Sequence, residues 1–311
     1  MTGAPQIYAV RDLLKLGIAR LRQADVPSFT LAAELLLLSV TGRDRTWIYA
    51  HPEEIVPGDS AAKYFALLER RAAGEPTQHL TGKQEFWGLE FEVTPDVLIP
   101  RPETEHLIEV ALDRLAVREI RAGRPPRLAG ENVTLVDMGT GSGCIAIALA
   151  KELPAATIFA TDISPDALAV AKRNAARLGF ANRIHFVQSN LFEAFSPLAA
   201  SHSPLSFDLV ISNPPYVSRR DAASLSVEVR DHEPALALFG GEAGFEFYGQ
   251  LVAQADHHVR PAGLLVLELG YDSLPAVRPL LDDSVWTNVG VTTDLAGIPR
   301  VLSAERLPLT P

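Results

Sequence analysis

Apolar residues recur at helical spacing through about the first 75 residues of the chain. Two stretches show it best, one with Val10, Leu13, Leu14 and Leu21 and one with Leu31, Leu35 and Leu38. Such spacing places side chains on one face of a helix. Ser28 or Thr30 is expected to cap the second helix, and a third helix is predicted from about Ser60 to Ala73. The pattern predicts a small all-α domain over residues 1–80.

The pattern changes after this helical region. Short apolar runs mix with glycine and polar residues up to Pro100, as expected for two strands joined by a tight turn. We expect a β-hairpin linker over residues 81–100 and a helix from there to about Val117. Glycines and prolines then predict a surface loop at residues 123–130.

From Val133 onward, apolar runs alternate with amphipathic segments. The runs predict strands at 133–138, 157–161, 183–188, 207–212 and 264–269, and the segments predict helices at 145–153, 164–178, 245–259 and 274–281. Two last strands, 286–293 and 300–307, have no helix between them and are expected to pair antiparallel at the sheet edge. This alternation is typical of a doubly wound parallel sheet. The predicted fold class is α/β, with a Rossmann-like domain over residues 101–311.

Composition narrows the class of protein. The chain has 311 residues, of which 47% are hydrophobic and 21% charged, and its formal net charge is −10. That charge argues against binding nucleic acid by broad phosphate neutralisation. A single cysteine, Cys144, excludes an internal disulfide and fits a reducing compartment. No secretory signal or long apolar segment is apparent, so we expect a cytoplasmic soluble protein.

The first chemical motif lies where the strand at 133–138 gives way to a helix. Asp137-Met138-Gly139-Thr140-Gly141-Ser142-Gly143 places three glycines at alternate positions. Glycine permits a tight turn and a close approach of the backbone to a ligand. Asp162, at the end of the next predicted strand, is placed to accept hydrogen bonds from ribose hydroxyls. The motif predicts a nucleotide-like cofactor without distinguishing NAD from S-adenosylmethionine.

The second motif, Asn213-Pro214-Pro215-Tyr216, directly follows the predicted strand at 207–212. An amide or ring NH2 is a poor nucleophile because its lone pair is delocalised. Two acceptors, the Asn213 side-chain oxygen and the Pro214 carbonyl, can orient such a nitrogen for methyl transfer. Tyr216 offers a flat face for a planar group. We therefore expect a catalytic turn made of Asn213, Pro214 and Tyr216, with Pro215 also contacting substrate.

These two motifs together resemble the class I S-adenosylmethionine-dependent N-methyltransferases, and the chain is more specifically similar to the bacterial HemK/PrmC family, the release factor glutamine N5-methyltransferases. The resemblance covers nearly the whole chain. Its narrower motifs are Gly74-Glu75-Pro76, Glu85-Phe86-Trp87-Gly88, Leu98-Ile99-Pro100-Arg101-Pro102-Glu103-Thr104-Glu105, Glu233-Pro234-Ala235-Leu236 and Arg300-Val301.

The resemblance implies S-adenosylmethionine as cofactor, S-adenosylhomocysteine as product and no metal. It implies that the substrate is the glutamine of a Gly-Gly-Gln motif in a release factor, and that a five-helix-like N-terminal domain helps to dock it. The cofactor residues carried over by position are Gly139, Thr140, Gly141, Ser142, Gly143, Asp162, Leu191 and Asn213. We expect a monomer without stable nucleic-acid or membrane binding.

Some positions depart from the family pattern or have no assigned role. Relatives can carry Asp and Trp at the positions of Asn190 and Leu191, and many have Gln at Ser273. Arg101, Glu103 and Thr104 either cap a surface turn or shape the cofactor pocket.

Three alternative functions stay open at this point. An adenine-N6 methyltransferase acting on DNA or RNA could use the same turn, although it must reach a flipped or unpaired base. A catalytically silent cofactor-binding protein would not need Asn213-Pro214-Pro215-Tyr216. A dehydrogenase gives no role to Asn213.

Overall fold

The computed structural model describes residues 7–121, 133–196 and 205–308, without the side chains of residues 119 and 120. The loop predicted at 123–130 lies outside these residues. The chain divides into two compact units, one formed by Met1–Lys83 with Ser226–His232 and the other by Gln84–Leu225 with Glu233–Pro311. The domain boundaries expected at residues 80 and 100 stay predictions.

The elements are numbered in chain order. The α-helices are α1 Val10–Gln23, α2 Phe29–Thr41, α3 Arg45–Ala50, α4 Gly58–Ala72, α5 Thr77–Thr81, α6 Glu105–Arg121, α7 Cys144–Glu152, α8 Pro165–Leu178, α9 Val227–His232, α10 Ala235–Leu238, α11 Glu246–His258 and α12 Leu274–Val277. The strands are β1 Tyr8–Ala9, β2 Ile55–Val56, β3 Lys83–Phe86, β4 Leu89–Glu92, β5 Thr134–Met138, β6 Thr157–Asp162, β7 Ile184–Gln188, β8 Phe207–Ser212, β9 Val217–Ser218, β10 Phe239–Gly241, β11 Val259–Glu268, β12 Trp286–Thr293 and β13 Pro299–Arg306.

The first unit is helical, as predicted. Helices α1, α2 and α4 enclose a core that includes Leu13, Leu36 and Tyr64. Helix α9 belongs to this unit, where the buried Arg71 forms an ion pair with Glu228. The pattern did not predict α3 or α5, because helices of five or six residues complete too few turns to show a period.

The predicted N-cap residue of α2 is confirmed in position, but its capping hydrogen bond is absent. Ser28 does occupy the N-cap position, but its backbone is left-handed, with φ 50° and ψ 37°, and its side chain makes no capping bond. A capping hydroxyl needs an extended backbone to reach the free N–H groups of the first turn. Asp44 meets that condition at α3 and accepts from the backbone N of Trp47 at 2.8 Å.

The hairpin is confirmed, and its turn is unusual. Trp87 and Gly88 link β3 to β4 with φ of 55° and 67°, the signs that a two-residue type I′ turn requires. A bulky residue at positive φ is strained. Carboxylates hold it there: the Trp87 backbone N donates to Glu105 at 2.7 Å, and its indole N–H donates to Glu152 at 2.9 Å.

The second unit contains the sheet that the alternation predicted. Its seven strands lie in the order β12-β13-β11-β8-β5-β6-β7. Strands β11, β8, β5, β6 and β7 are parallel neighbours, and β13 runs antiparallel between β11 and β12. The antiparallel edge pair is thereby confirmed.

Both faces of the sheet are covered. Alternate residues of β5 enter different cores, Leu135 the one shared with α6 and α7, and Val136 the one shared with α11. This is why the parallel strands read as nearly continuous apolar runs.

Two boundaries differ from the prediction. Strand β11 starts at Val259, five residues before the predicted start at 264. A bulge lies between these two positions, and Ala262 within it has φ 59°. The helix expected over 274–281 is shorter, since α12 gives way to a 3-10 turn at Arg278–Leu280 in which Pro279 has no N–H to donate. Within the described parts of the chain, no helix is long and apolar enough to cross a membrane.

The first testable prediction concerns Gly17, which is buried in α1. A Cβ at Gly17 would lie 2.0 Å from the hydroxyl oxygen of Tyr64, and that buried hydroxyl donates to the Ala33 carbonyl at 3.3 Å. Alanine favours a helix over glycine by up to about 1 kcal/mol, but overpacking costs about 1–3 kcal/mol. We expect Gly17→Ala to lower the free energy of unfolding measured in urea.

The matched control is Gly249→Ala in α11, where a Cβ would meet no atom within 4 Å. This change should stabilise the protein by about 0.5–1 kcal/mol. Equal effects of the two substitutions would contradict the steric argument.

Candidate active site

A cavity of about 240 Å³ opens at the carboxyl ends of β5, β6, β7 and β8. This is where open α/β sheets bind ligands. Six of the residues predicted from the sequence contribute to its wall, namely Gly139, Gly141, Asp162, Leu191, Asn213 and Pro215. Among the described residues, the wall also includes Asp96, Leu98, Ile163, Ser189, Leu236 and Phe247, which sequence reasoning missed.

The glycine turn shapes one side of the cavity. Gly139, Gly141 and Gly143 have φ of 72°, 55° and 84°, a backbone that other residues rarely adopt. A Cβ at Gly139 or Gly141 would meet no protein atom within 4 Å, so both face open space. At Gly143 a Cβ would lie 3.1 Å from that of Ala171. The first two glycines therefore leave room for a ligand, and the third lets two helices pack closely.

The two other residues of the turn point inward. Thr140 is buried, and its hydroxyl donates to Asp137 at 2.6 Å. Ser142 is buried as well, and its carbonyl accepts from the Asn174 side chain at 2.9 Å. Neither belongs to the cavity wall. Thr140 supports the turn through its side chain and Ser142 through its backbone carbonyl, and a cofactor role for both stays a prediction.

Asp162 lies on the wall at the end of β6. One of its carboxylate oxygens accepts from the Gly141 backbone N and the other from the Ser164 backbone N, both at 2.9 Å. A carboxylate oxygen can accept more than one hydrogen bond, so both can also serve a ligand. Ser164, rather than Asp162, caps α8 by accepting from the Ala167 backbone N at 3.2 Å.

Leu191 forms the wall beyond β7 and has a left-handed backbone with φ 49°. Its carbonyl accepts from the Ser189 hydroxyl at 2.7 Å, which fixes the turn. The Asn190 side chain donates to Glu193 at 2.9 Å. An apolar side chain at this edge can pack against a flat group.

Asn213 follows β8 and contributes its side chain to the wall. Its Nδ2 donates to the hydroxyl of Thr104 at 3.1 Å. Its Oδ1 accepts no hydrogen bond from any of the described residues and is not buried. Pro214 is buried, and Pro215 lines the cavity. One end of the amide is therefore held by protein while the other is free.

Tyr216 does not belong to the cavity wall. Its ring packs against the second core and over Gly270, where a Cβ would lie 2.7 Å from the ring carbon Cδ2. Burial raises the pKa of Tyr216 to about 12, so its phenol is neutral at physiological pH.

Two motifs distant in sequence meet beside the cavity. The buried Glu233 accepts from the Ile99 backbone N at 3.2 Å and forms an ion pair with Arg101. Pro234 and Leu236 then contribute to the wall. Arg101 thus fixes the segment that borders the cavity. Thr104 is buried against Asn213, whereas Glu103 is exposed.

Three buried ionisable groups lie behind the wall. Burial raises the pKa of Asp137 to about 7, although hydrogen bonds from Thr140 and the Ala146 backbone N oppose it. Burial likewise raises the pKa of Glu268 to about 7 and that of Cys144 to about 12. The Cys144 thiol is therefore protonated at neutral pH. No group of three or more metal-ligating side chains occurs within the described ranges.

The second unit has a seven-stranded sheet with an antiparallel edge pair. A glycine turn follows the first strand of this sheet, and a polar turn follows the fourth. These features define a class I methyltransferase, a class that uses S-adenosylmethionine. Residues 12–82 match the family model "PrmC N-terminal domain", and residues 129–242 match "Methyltransferase domain". The chain belongs to the release factor glutamine methyltransferase family.

The relatives support this assignment over nearly full length. The chain is 44% identical to the release factor glutamine methyltransferase of Koribacter versatilis, across 93% of this chain and 95% of the relative. It is 40% identical to that of Bradyrhizobium diazoefficiens, across 93% and 92%. A solved structure, the hMettl16 catalytic domain in complex with MAT2A 3'UTR hairpin 6, shares the fold, with a TM-score of 0.52, 18% identity and coverage of 76% and 81%.

The second testable prediction uses the buried Asp137. Its pKa in the folded protein, about 7, lies above its ordinary value of 3.8. The folded state therefore retains a proton that the unfolded state has lost, and stability falls as pH rises through that window. Asp137→Asn does not titrate, so we expect the variant to gain stability relative to the wild type between pH 4 and pH 8, by more than about 1 kcal/mol.

Urea denaturation at several pH values measures this difference. Comparison with the wild type at each pH removes the contribution of Glu268, which both proteins share. A difference that stays constant from pH 4 to pH 8 would show that Asp137 does not titrate in this range.

Proposed function

We propose that this protein transfers the methyl group of S-adenosylmethionine to the side-chain amide nitrogen of glutamine in the Gly-Gly-Gln motif of peptide chain release factors. The observation that carries the proposal is the half-held amide of Asn213, whose Nδ2 donates to Thr104 while Oδ1 accepts no hydrogen bond from the residues that the structure describes. The names of the relatives supply the substrate class.

The cavity has the features that the cofactor requires. Open space above Gly139 and Gly141 suits close approach of its amino-acid end, and Asp162 has acceptor capacity for ribose hydroxyls. The apolar Leu191 suits the adenine ring. Bound there, S-adenosylmethionine supplies an electrophilic methyl group on a positively charged sulfur.

The polar turn has the features that the substrate requires. Asn213 Oδ1 and the Pro214 carbonyl are two acceptors for the two N–H bonds of the glutamine amide. Holding the amide in this way orients its nitrogen toward the methyl group, and contact at about 3–3.5 Å is what such positioning achieves. Pro215 lines the wall, where we expect it to contact the substrate, and the partly buried ring of Tyr216 supports the turn.

An adenine base offers a similar NH2 group but is not favoured as substrate. The formal charge of −10 opposes binding to a nucleic-acid backbone. The similarity to glutamine methyltransferases also extends through the N-terminal domain. We further propose that the protein acts as a cytoplasmic monomer on a protein substrate.

The third testable prediction concerns the cofactor. Asp162→Ala removes hydrogen bonds to the ribose, and bonds to a charged group contribute about 1.5–3 kcal/mol. We expect S-adenosylhomocysteine to bind about 10- to 100-fold more weakly in calorimetry. Asp166→Ala, which removes an exposed carboxylate outside the wall, should bind normally. An unchanged dissociation constant in folded Asp162→Ala would remove Asp162 from the site.

The fourth testable prediction addresses the reaction itself. Purified release factor is incubated with labelled S-adenosylmethionine, and mass spectrometry locates the added methyl group. We expect it on the glutamine of Gly-Gly-Gln. Asn213→Ala should reduce the single-turnover rate about 10²-fold or more, by analogy with the removal of one preorganised polar contact, without changing cofactor affinity much. A label on nucleic acid alone, or a wild-type rate in Asn213→Ala, would refute the proposal.

Asn213→Asp separates the two roles of the amide. Aspartate keeps an acceptor but loses the NH2 group that donates to Thr104. Since that bond fixes the side chain, we expect the aspartate variant to be about as slow as the alanine variant. Activity well above that of Asn213→Ala would mean that acceptance alone is sufficient.

A further inference from the structure

A chain of three polar side chains lies behind the cavity wall. Asn213 Nδ2 donates to the Thr104 hydroxyl at 3.1 Å, and the Thr104 hydroxyl lies close enough to Glu268 to lower the pKa of that carboxyl through hydrogen bonding. Thr104 and Glu268 are 2% and 3% exposed. Ser212 pairs with Leu267 in the parallel strands β8 and β11. Asn213 and Glu268 are therefore the next residues of adjacent strands.

No contact in the part of the chain that the structure describes, apart from the one with Thr104, explains why Glu268 is buried. A buried carboxylate is costly unless it is paired, yet its Oε2 has no hydrogen-bond partner in the described chain. The two arginines whose charges reach it are engaged elsewhere, Arg101 with Glu233 and Arg300 with Asp294. Glu268 does not line the cavity. The Thr104 hydroxyl is the neighbouring group whose hydrogen bonding lowers the pKa of Glu268.

The number of protons in this chain of groups decides which way the Asn213 amide faces. An ionised carboxylate only accepts, so Thr104 uses its single hydroxyl proton on Glu268. The Thr104 oxygen can then only accept, and the NH2 group of Asn213 must face it. That leaves Asn213 Oδ1 toward the cavity. A protonated Glu268 can donate, which permits the reverse order and turns the NH2 group of Asn213 toward the substrate.

We propose that Thr104 and Glu268 are positioning residues that set the orientation of the Asn213 amide, so that its oxygen rather than its NH2 group meets the substrate. The inference rests on the proposed function of Asn213 and adds the groups that control it. It predicts that ionisation of Glu268 switches the site from an inactive to an active orientation.

The groups around Glu268 place this switch near neutral pH. Its pKa is raised to about 7, by burial first and by the charge of Glu103, while Thr104, Arg300 and Arg101 lower it. Tyr216, Tyr248 and Cys144 also lie within electrostatic range. Because the pKa of a carboxyl is raised, the active ionised form is lost as pH falls through about 7.

The fifth testable prediction is a pH profile of the single-turnover rate at saturating cofactor and release factor. Wild type should lose rate below about pH 7. Thr104→Val keeps the side-chain shape but removes the hydroxyl. We expect its rate to be about one tenth of the wild-type rate or lower, and we expect no loss of rate as the pH falls below 7. Thr104→Ser should restore both the wild-type rate and its dependence on pH. Glu268→Gln can accept or donate, and it should lower the rate at pH 8 and remove the dependence.

Glu103→Gln is the matched control, because it removes an exposed neighbouring carboxylate that only influences Glu268 through its charge. This variant should keep the full rate at high pH, and the midpoint of its pH–rate profile should lie at a slightly lower pH than in wild type. Calorimetry with S-adenosylhomocysteine and urea denaturation should show normal cofactor affinity and folding in Thr104→Val.

A readout independent of activity is the side-chain amide NMR signal of Asn213, assigned by its loss in Asn213→Asp. It should move with pH in wild type and stay fixed in Thr104→Val and Glu268→Gln. A pH dependence of rate or signal that persists in Glu268→Gln would overturn the inference, as would a wild-type rate in Thr104→Val.

The two proposals fail in different ways. If Asn213→Ala is inactive while Thr104→Val behaves as wild type, the positioning role alone is wrong. If wild type methylates no release factor, the proposed function is wrong, and the NMR signal still decides whether Glu268 orients Asn213.

Discussion

The hydrogen bond from Asn213 Nδ2 to Thr104 joins two segments that lie 109 residues apart in the chain. An amide side chain has a donor end and an acceptor end, and in solution it can present either one. Here the donor end is bound inside the protein and the acceptor end is left at the cavity. The site therefore depends on a contact made before β5, in the turn that leads into α6.

That contact explains why the turn before α6 has its particular residues. Arg101 forms the ion pair with Glu233, Thr104 reaches Asn213, and Glu105 holds the strained Trp87 of the hairpin. Three neighbouring side chains thus tie three different segments to one short stretch of backbone. Pro102 starts a 3-10 turn there and limits its freedom through a fixed φ. A rigid turn can hold several loops at once, which a flexible linker cannot.

The fold was predictable because its signals are local. Apolar runs identified the parallel strands, and three alternating glycines located the turn beneath the cavity. The positions of Gly139, Gly141, Asp162 and Asn213 on the cavity wall agree with those patterns. The sequence did not distinguish the inward-facing Thr140 and Ser142 from the glycines on the wall. Adjacent residues of a tight turn point in different directions, and the sequence alone does not show which of them face the cavity. For the same reason, the sequence did not show that the ring of Tyr216 packs against the second core instead of lining the cavity.

The polar partners of the site could not be read from the sequence, because their spacing depends on tertiary structure. The sequence left Thr104 between a surface cap and a pocket-shaping role and did not pair it with Asn213. Leu98 stood only within a family motif, and Asp96 carried no signal. Glu268 looked like an ordinary residue at the end of a strand, yet it is 3% exposed. The cost of burying this carboxylate is informative, because an apolar side chain would fill the same space with less desolvation. The positioning role proposed above accounts for a carboxylate at this point, because only an obligate acceptor imposes a direction on the hydroxyl of Thr104 and, through it, on the amide of Asn213.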